Sequence, residues 1–389
     1  MRRATALIAL CMLLAGAAAS AAGLPKGLGT NEAEEKELAA SIDKLVGMLQ
    51  KEKPDHKAMG AEIAAARKLM LSIYAQARGL RYPALPDTPK VAEPSEVVLY
   101  AGTKADDVLA IWREQLDFYL RSAHGLFNGE AKYLLEWTGR GGFRKPERRI
   151  GSMLETLREA AKMVRLLSQE KKVAEVKKGE QLFADDFARG AENWLAYGQC
   201  VTRNEGDAFR MKDERRRHPD AMMWTKKEFD GDLLAEFTFI PHTEGTNAGA
   251  LFTICGTPKK GKTLAVCVGS TMNTYNYGIN GYHFSMHRGR TGLGNVRRVG
   301  PGLKLLISGK DPCPTPGKAY RVAIGKVGPT LFLLVDEKLI HSYTDAATHG
   351  PVLTKGHIGI RHWAGLDASY KDFRVYRLAP AVKQKGAPK

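Results

Sequence analysis

The sequence predicts a two-domain α + β protein: an N-terminal antiparallel helical bundle followed by a C-terminal antiparallel β-sandwich of the jelly-roll type. Three observations carry this. Apolar residues recur at helical spacing from residue 31 to about 175. Near residue 180 that period gives way to alternation. Beyond it come many short β-rich runs, punctuated by Gly and Pro, with no helical pattern between them. A chain of 389 residues has room for two domains of about 150 residues each, and a hydrophobic share of 44% is enough for full cores.

Residues 1–22 read as an export signal rather than as part of a fold. Arg2 and Arg3 precede an apolar run from Ala4 to Gly16, and Ala19-Ser20-Ala21 has the small-x-small form of a cleavage site near Ala21. Cys11 lies inside the run and no cysteine sits at the cut, so no lipoprotein anchor is expected. No later segment approaches the ~20 apolar residues of a spanning helix. The expected location is secreted or periplasmic.

The helical domain is assigned to residues 30–178. Asn31 and Glu34 stand where a capping box opens a helix, and Leu38, Ile42, Leu45 and Leu49 follow along one face. A second helix begins after Pro54 and carries Met59, Ile63, Met70 and Ile73, with Gly79 and Pro83 to stop it. A Pro-rich connection from Pro83 to Pro94 leads to a third helix with Val108, Trp112, Leu116 and Leu120. The segment Gly139 to Phe143 is a loop, and a fourth helix carries Met153, Leu157, Ala161 and Val164. Short connections imply antiparallel neighbours. Only His56 and His124 are available as imidazole ligands and no Glu-x-x-His pair occurs, so the bundle reads as a packing or spacer domain. The polar run Glu170 to Lys178 reads as a frayed helix end and linker.

The sandwich is assigned to residues 181–378, and residues 379–389 to a disordered basic tail. Ala235, Phe237 and Phe239 alternate with Glu236 and Thr238; Tyr320, Val322 and Ile324 alternate with Arg321 and Ala323. Asp336-Glu337-Lys338 reads as a tight hairpin between two apolar runs.

The formal charge of +17 points to acidic partners in general. It carries no nucleic-acid fold signature, so no specific nucleic-acid binding is expected; an acidic polysaccharide or oligosaccharide fits an exported chain better. Four cysteines remain after processing, Cys200, Cys255, Cys267 and Cys313, and they allow three pairings. No C-x-x-C spacing, Walker or Rossmann loop, or nucleophile elbow occurs, and no cofactor is expected.

Several runs then resemble a known family. Leu182 to Phe187 followed by Trp194 looks like the opening strand of lectin/glucanase-type jelly rolls; Gly356 to Arg361 and Tyr370 to Val375 look like the closing pair. In the middle, Met223-Trp224, Tyr277 to Ser285 with Arg288, Asn295 to Arg298 and Gly309-Lys310-Asp311 resemble the YesU-like family of concanavalin-like jelly-roll proteins. The resemblance covers residues 181–378. It implies a jelly roll associated with the use of pectin-type polysaccharides, similar in outline to the keto-glycoside hydrolases.

The candidate site residues follow from chemistry. His283, Ser285 and His287 share one face of a strand whose other face is Tyr282, Phe284 and Met286; a ligand surface and a solvated outer face both fit. The two histidines lack a third ligand at a telling spacing, so no metal site is expected. Arg288 and Arg361 have the planar fork that clamps a carboxylate, or else form surface salt bridges. Trp224 and Trp363 suit sugar stacking, or core packing. Asn247, Tyr277 and Asn280 lie in or near Gly- and Asn-rich loops, where binding residues concentrate.

Glycoside hydrolysis normally needs two carboxyl groups. Glu236 is the candidate acid/base, although the Glu-x-Asp-x-x-Glu strand pattern of glucanases is missing. A lyase would instead use His283 as base beside an arginine. Strands near residues 233–240, 282–288 and 356–361 are expected to line one open trough on the concave sheet. The favoured reading is recognition of an acidic glycan, with or without cleavage by a hydrolase or lyase. The alternative is a non-catalytic glycan-binding or protein-interaction module.

Overall fold

A computed structural model describes residues 32–49, 51, 55–76, 96–100, 103–128, 146–168, 172–197, 200–205, 207–213, 220–243, 249–264, 278–288, 292–300, 303–345, 347, 349–363 and 365–380. Residues 1–22, read as an export signal, and all of residues 379–389 except Ala379 and Pro380 lie outside them. The chain divides into two compact units, one made of residues 1–86 and 116–168, the other of residues 87–115 and 169–389.

Among the described residues there are four helices: α1 (Glu32–Leu49), α2 (His56–Gln76), α3 (Ala105–Asn128) and α4 (Pro146–Ser168). Asp55 caps α2 by accepting the Ala58 N–H at 3.0 Å. Asp106 and Asp107 lie in the first turn of α3, where carboxylates complement the helix dipole. Proline opens α4, where its missing N–H costs nothing. In the first unit, Leu38 and Ile42 of α1, Met70 of α2, Leu126 of α3 and Met153 and Leu157 of α4 meet in one buried cluster. Among the described residues no helix is long and apolar enough to cross a membrane.

The second unit holds seventeen strands among the described residues. A nine-stranded sheet runs in the order β1 (Glu96–Tyr100), β2 (Lys172–Asp185), β17 (Asp367–Pro380), β8 (Leu233–Pro241), β13 (Tyr320–Val327), β14 (Thr330–Val335) and β15 (Lys338–Thr344). The hairpin β4 (Cys200–Glu205) and β5 (Ala208–Asp213) joins it through β17. An eight-stranded sheet runs β12 (Leu303–Lys310), β11 (Leu293–Val299), β10 (Ile279–Met286), β9 (Gly249–Pro258), β16 (Lys355–Trp363), β6 (Asp220–Thr225) and β3 (Trp194–Tyr197), with β7 (Phe229–Asp230) paired to β16. Among the described residues β1 and β2 are the one parallel pair.

Two expectations are corrected. Residues 172–178 are not a frayed helix end and linker but the first half of β2, which pairs with β1 and β17. Glu175, Lys177 and Lys178 are exposed and Val176 is buried; main-chain pairing holds the run, with β1 along residues 172–176 and with β17 from Val176 onward. The sandwich therefore begins before residue 181 and recruits β1, a segment first assigned to the helical domain.

Alternation builds the core. Phe237 and Phe239 of β8 face Phe252 of β9, with the Phe237 and Phe252 ring centres 4.4 Å apart, and Phe373 stacks on Phe237 at 5.3 Å. Each such ring contributes roughly 2–3 kcal/mol on burial. Tyr282 reaches from β10 to a polar latch: its hydroxyl donates to Asp345 at 2.5 Å, Arg298 donates to the same carboxylate at 2.8 Å, and Leu353 N–H donates to the hydroxyl at 3.1 Å. At the sheet edge, Gln115 of α3 donates to the Ser308 carbonyl at 2.6 Å and accepts the Ser308 N–H at 3.2 Å, pairing with β12 as a strand would.

Candidate functional site

Strand β10 has one buried core face, which fixes the direction of every other side chain. Tyr282, Phe284 and Met286 enter the core. His283 and Ser285 therefore lie on the outer face of the eight-stranded sheet. Register supplies their neighbours. On β11, Arg297 stands opposite His283 and Asn295 opposite Ser285. On β9, Thr253 and Leu251 take the same positions. Across β9, Gly359 and Arg361 of β16 stand opposite Thr253 and Leu251. With strands about 4.8 Å apart, His283 and Arg297 are side by side and Arg361 is two strands away.

Arg288 follows the end of β10. Its side chain lies against Gly249, where any Cβ would meet Arg288 Cδ at 2.8 Å, and its guanidinium sits 4.8 Å from the Trp363 ring centre. Asp311 positions this corner by accepting the backbone N–H groups of His287 (2.8 Å), Cys313 (3.0 Å) and Arg288. A chain of polar contacts orients the other corner: Ser285 Oγ donates to Asn295 Oδ1 at 2.9 Å, and Arg297 Nε donates to the same oxygen at 3.2 Å.

The sheet thus gathers three guanidinium groups around one imidazole, and all four side chains are 2–3% exposed. Burial, then Arg297, Arg361 and Arg288, holds His283 well below the ordinary histidine range. Burial and the neighbouring Arg288 press Arg297 down to about 9. Burial also lowers Arg288, to about 10, opposed by Asp311 and aided by Arg361. Both arginines remain charged at neutral pH. The face is cationic around an imidazole that burial and the arginines keep neutral.

The remaining sequence candidates are placed differently. Glu236 is on β8, in the nine-stranded sheet, where it accepts from Lys178 at 2.5 Å. It shares the outer face of that sheet with Thr238, Arg321, Asp372, Arg374 and Glu337, around a groove of about 510 Å³. The expected single trough from residues 233–240, 282–288 and 356–361 is therefore not formed, because the first of these strands belongs to the other sheet. Nor is the His283 face open, since its side chains are nearly inaccessible.

Trp224 is fully buried, packed with Met222, Leu264, Ile279 and Val299, and is not an exposed stacking platform. His287 leaves the shared face because the chain turns there into a left-handed conformation (φ 52°), and both ring nitrogens meet carbonyl oxygens, of Cys313 and Thr243, at 2.9 Å. Asn280 lies at the start of β10 beside a bulge, opposite Thr257. Asn247 and Tyr277 lie outside the described residues.

Arg297 and Asn295 were missing from the sequence candidates as site residues; alternation along β11 marks them as outward, and only strand register brings them to His283. Among the described residues no group of three or more His, Cys, Asp or Glu could hold a metal ion. Cys255 and Cys313 are free buried thiols, so neither takes part in a disulfide; Cys267 and the side chain of Cys200 lie outside the described residues. Burial pushes the Cys255 thiol up to about 11.

Residues 181–375 match the family model described as a domain of unknown function, DUF1961. The chain belongs to this family. It is 38% identical over 84 residues to the uncharacterized protein YesU of Bacillus subtilis (strain 168), a match spanning 21% of this chain and 38% of that protein's length. Among solved structures it is similar to a Bacillus subtilis protein of unknown function with a galectin-like fold, at 22% identity and a TM-score of 0.47, covering 53% of this chain and all of that one. It is also similar to the carbohydrate binding module CBM66 from Bacillus subtilis, at 16% identity and a TM-score of 0.34, covering 48% and 97%. The Bacillus licheniformis beta-glucanase is similar at 14% identity and a TM-score of 0.36, covering 51% and 98%.

Proposed function

We propose that this DUF1961 protein is exported and recognises an acidic oligosaccharide or polysaccharide on the outer face of its eight-stranded sheet, with the helices ahead of it serving as a spacer bundle. One observation supports this above the others: Arg288, Arg297 and Arg361 converge around His283 in a water-poor setting. Burying like charges together is costly, and such perturbed clusters concentrate at functional sites. Guanidinium forks match carboxylates, Ser285 and Asn295 suit sugar hydroxyls, and the Arg288 guanidinium lies over the Trp363 ring. The three arginine side chains and His283 are nearly inaccessible.

Hydrolysis through Glu236 has little support, because Glu236 and His283 lie on different sheets. A second reading, a non-catalytic binding or interaction module, draws on the 510 Å³ groove around Glu236, which is open and lined by paired charges.

Calorimetric titration of the full chain with oligogalacturonate and with its methyl ester tests the proposal. Binding should favour the free acid, and Arg361→Ala should weaken it by roughly ten- to a hundredfold, the worth of one charge-assisted hydrogen bond. Glu236→Gln should leave it unchanged. Equal affinity for acid and ester, or loss through Glu236→Gln instead, would move the site to the other sheet.

A further inference from the structure

We infer that the groove on the outer face of the nine-stranded sheet is a binding site for a neutral oligosaccharide. This rests on the binding-module reading of that groove and names its occupant; it does not depend on the arginine cluster of the eight-stranded sheet.

The groove is open where that cluster is closed. Its volume of about 510 Å³ falls within the roughly 300–1,000 Å³ of small-ligand sites. The charged side chains around it run from 24% exposed at Glu236 to 81% at Glu337. Phe237 and Val322 border it but turn their side chains into the core. Alternation leaves Glu236, Thr238, Arg321 and Ala323 facing outward.

Register fixes the layout. Thr238 of β8 stands opposite Arg321 of β13, and Glu236 stands between Ala323 of β13 and Arg374 of β17. Ala323 in turn is opposite Leu334 of β14. Such positions are about 4.8 Å apart across strands and about 6.8 Å apart along one, the scale of a sugar ring. Asp336 anchors one corner by accepting the Arg321 N–H at 3.0 Å.

Three ion pairs border the groove: Lys178 with Glu236, Arg321 with Glu337, and Arg374 with Asp372. Cations and carboxylates are equal in number, so a ligand of either sign meets as much repulsion as attraction. Hydroxyl groups both donate and accept, and they suit such a mixture. Lys178 engages Glu236 through Oε2, which leaves Oε1 to accept. The Thr238 hydroxyl has no partner among the described residues. Arg321 uses Nη1 on Glu337, which leaves its other N–H groups to donate. Ala323 and Leu334 give a small apolar floor for the C–H face of a ring.

Peptide and protein partners fit less well. Strands β17, β8, β13 and β14 are each paired on both sides, so an added strand finds no free main chain there. The apolar floor is too small for the centre of a protein interface.

The experiment titrates the full chain calorimetrically with cellohexaose, xylohexaose, mannohexaose and maltohexaose, at low and at high salt. At least one should bind, and its affinity should hold steady as salt rises, because the ligand is uncharged. Thr238→Ala should weaken that binding by roughly three- to tenfold, and Arg321→Ala by roughly ten- to a hundredfold. Both side chains reach solvent, and circular dichroism checks that both variants fold. Saturating oligogalacturonate should leave the neutral affinity unchanged. No binding of any of these sugars overturns the inference and leaves the acidic-glycan reading untouched. Binding that survives both substitutions, or that oligogalacturonate displaces, puts the sugar elsewhere and overturns it too. Neutral binding lost through Thr238→Ala and Arg321→Ala, with no binding of oligogalacturonate, upholds the groove and removes the acidic-glycan reading.

Discussion

Gly359→Ala places a methyl group where Trp224 already lies. A Cβ at Gly359 would stand 2.5 Å from Trp224 Cζ3 and 2.6 Å from Cε3, against about 3.5–4.0 Å for an unstrained carbon contact. The indole must retreat by about 1 Å. It cannot slide towards β9, because a Cβ at Gly256 would meet the same ring edge at 2.2 Å, so the ring already rests on both backbones. The other side is closed by Met222, Leu264, Ile279 and Val299. Overpacking of this kind costs about 1–3 kcal/mol. The upper half of that range, at about 2–4 °C per kcal/mol for a domain of this size, lowers Tm by roughly 4–12 °C. Thermal unfolding measures it. The decisive comparison repeats Gly359→Ala in a Trp224→Phe background, where the smaller ring leaves room and coupling of at least about 0.5 kcal/mol should appear. An unchanged Tm, or equal costs in both backgrounds, would refute the packing of Trp224 described here.

Asp345→Asn leaves the buried Arg298 guanidinium without its counter-charge and should cost about 3–5 kcal/mol in urea unfolding; a cost no larger than that of Tyr282→Phe would mean the ion pair contributes little. His341 and His362 are held down to about 4 by burial, so the unfolded chain binds protons that the folded chain refuses. Stability should be full above the ordinary histidine value of 6.5 and decline as pH falls from there to about 4, by up to about 3 kcal/mol per histidine; a flat urea midpoint across that window would contradict it. Gln115→Ala removes both bonds to Ser308 and should cost about 1–3 kcal/mol, with faster hydrogen exchange at the Ser308 amide than at amides of β9.

The sandwich was legible wherever one face of a strand is core. Tyr282, Phe284 and Met286 announce β10, and Phe237 and Phe239 announce β8, because burial on one side imposes a period of two. Alternation says that Glu236 and His283 both face outward. It does not say from which sheet, since that depends on pairing between distant segments: Glu236 stands opposite Ala323 and Arg374, and His283 opposite Arg297 and Thr253. The beginning of β2 escaped because Glu175, Lys177 and Lys178 are exposed, so no burial signal marks a strand that backbone pairing alone maintains. A tryptophan suits a sugar platform and a core equally; the glycines that make room for Trp224, at 256 and 359, become neighbours only after β9 and β16 pair.

The amide of Gln115 bears on how the protein can be dissected. A fragment cut to the family-matched segment 181–375 would lose the side chain that occupies the free rim of β12, and with it β1 and the beginning of β2 from the far rim of the other sheet. Both sheets would then present unsatisfied main-chain groups to any passing strand, the usual route to precipitation. Poor solubility of such a fragment would say nothing against the domain; it would reflect the removal of a residue that lies 66 positions upstream of the segment's first.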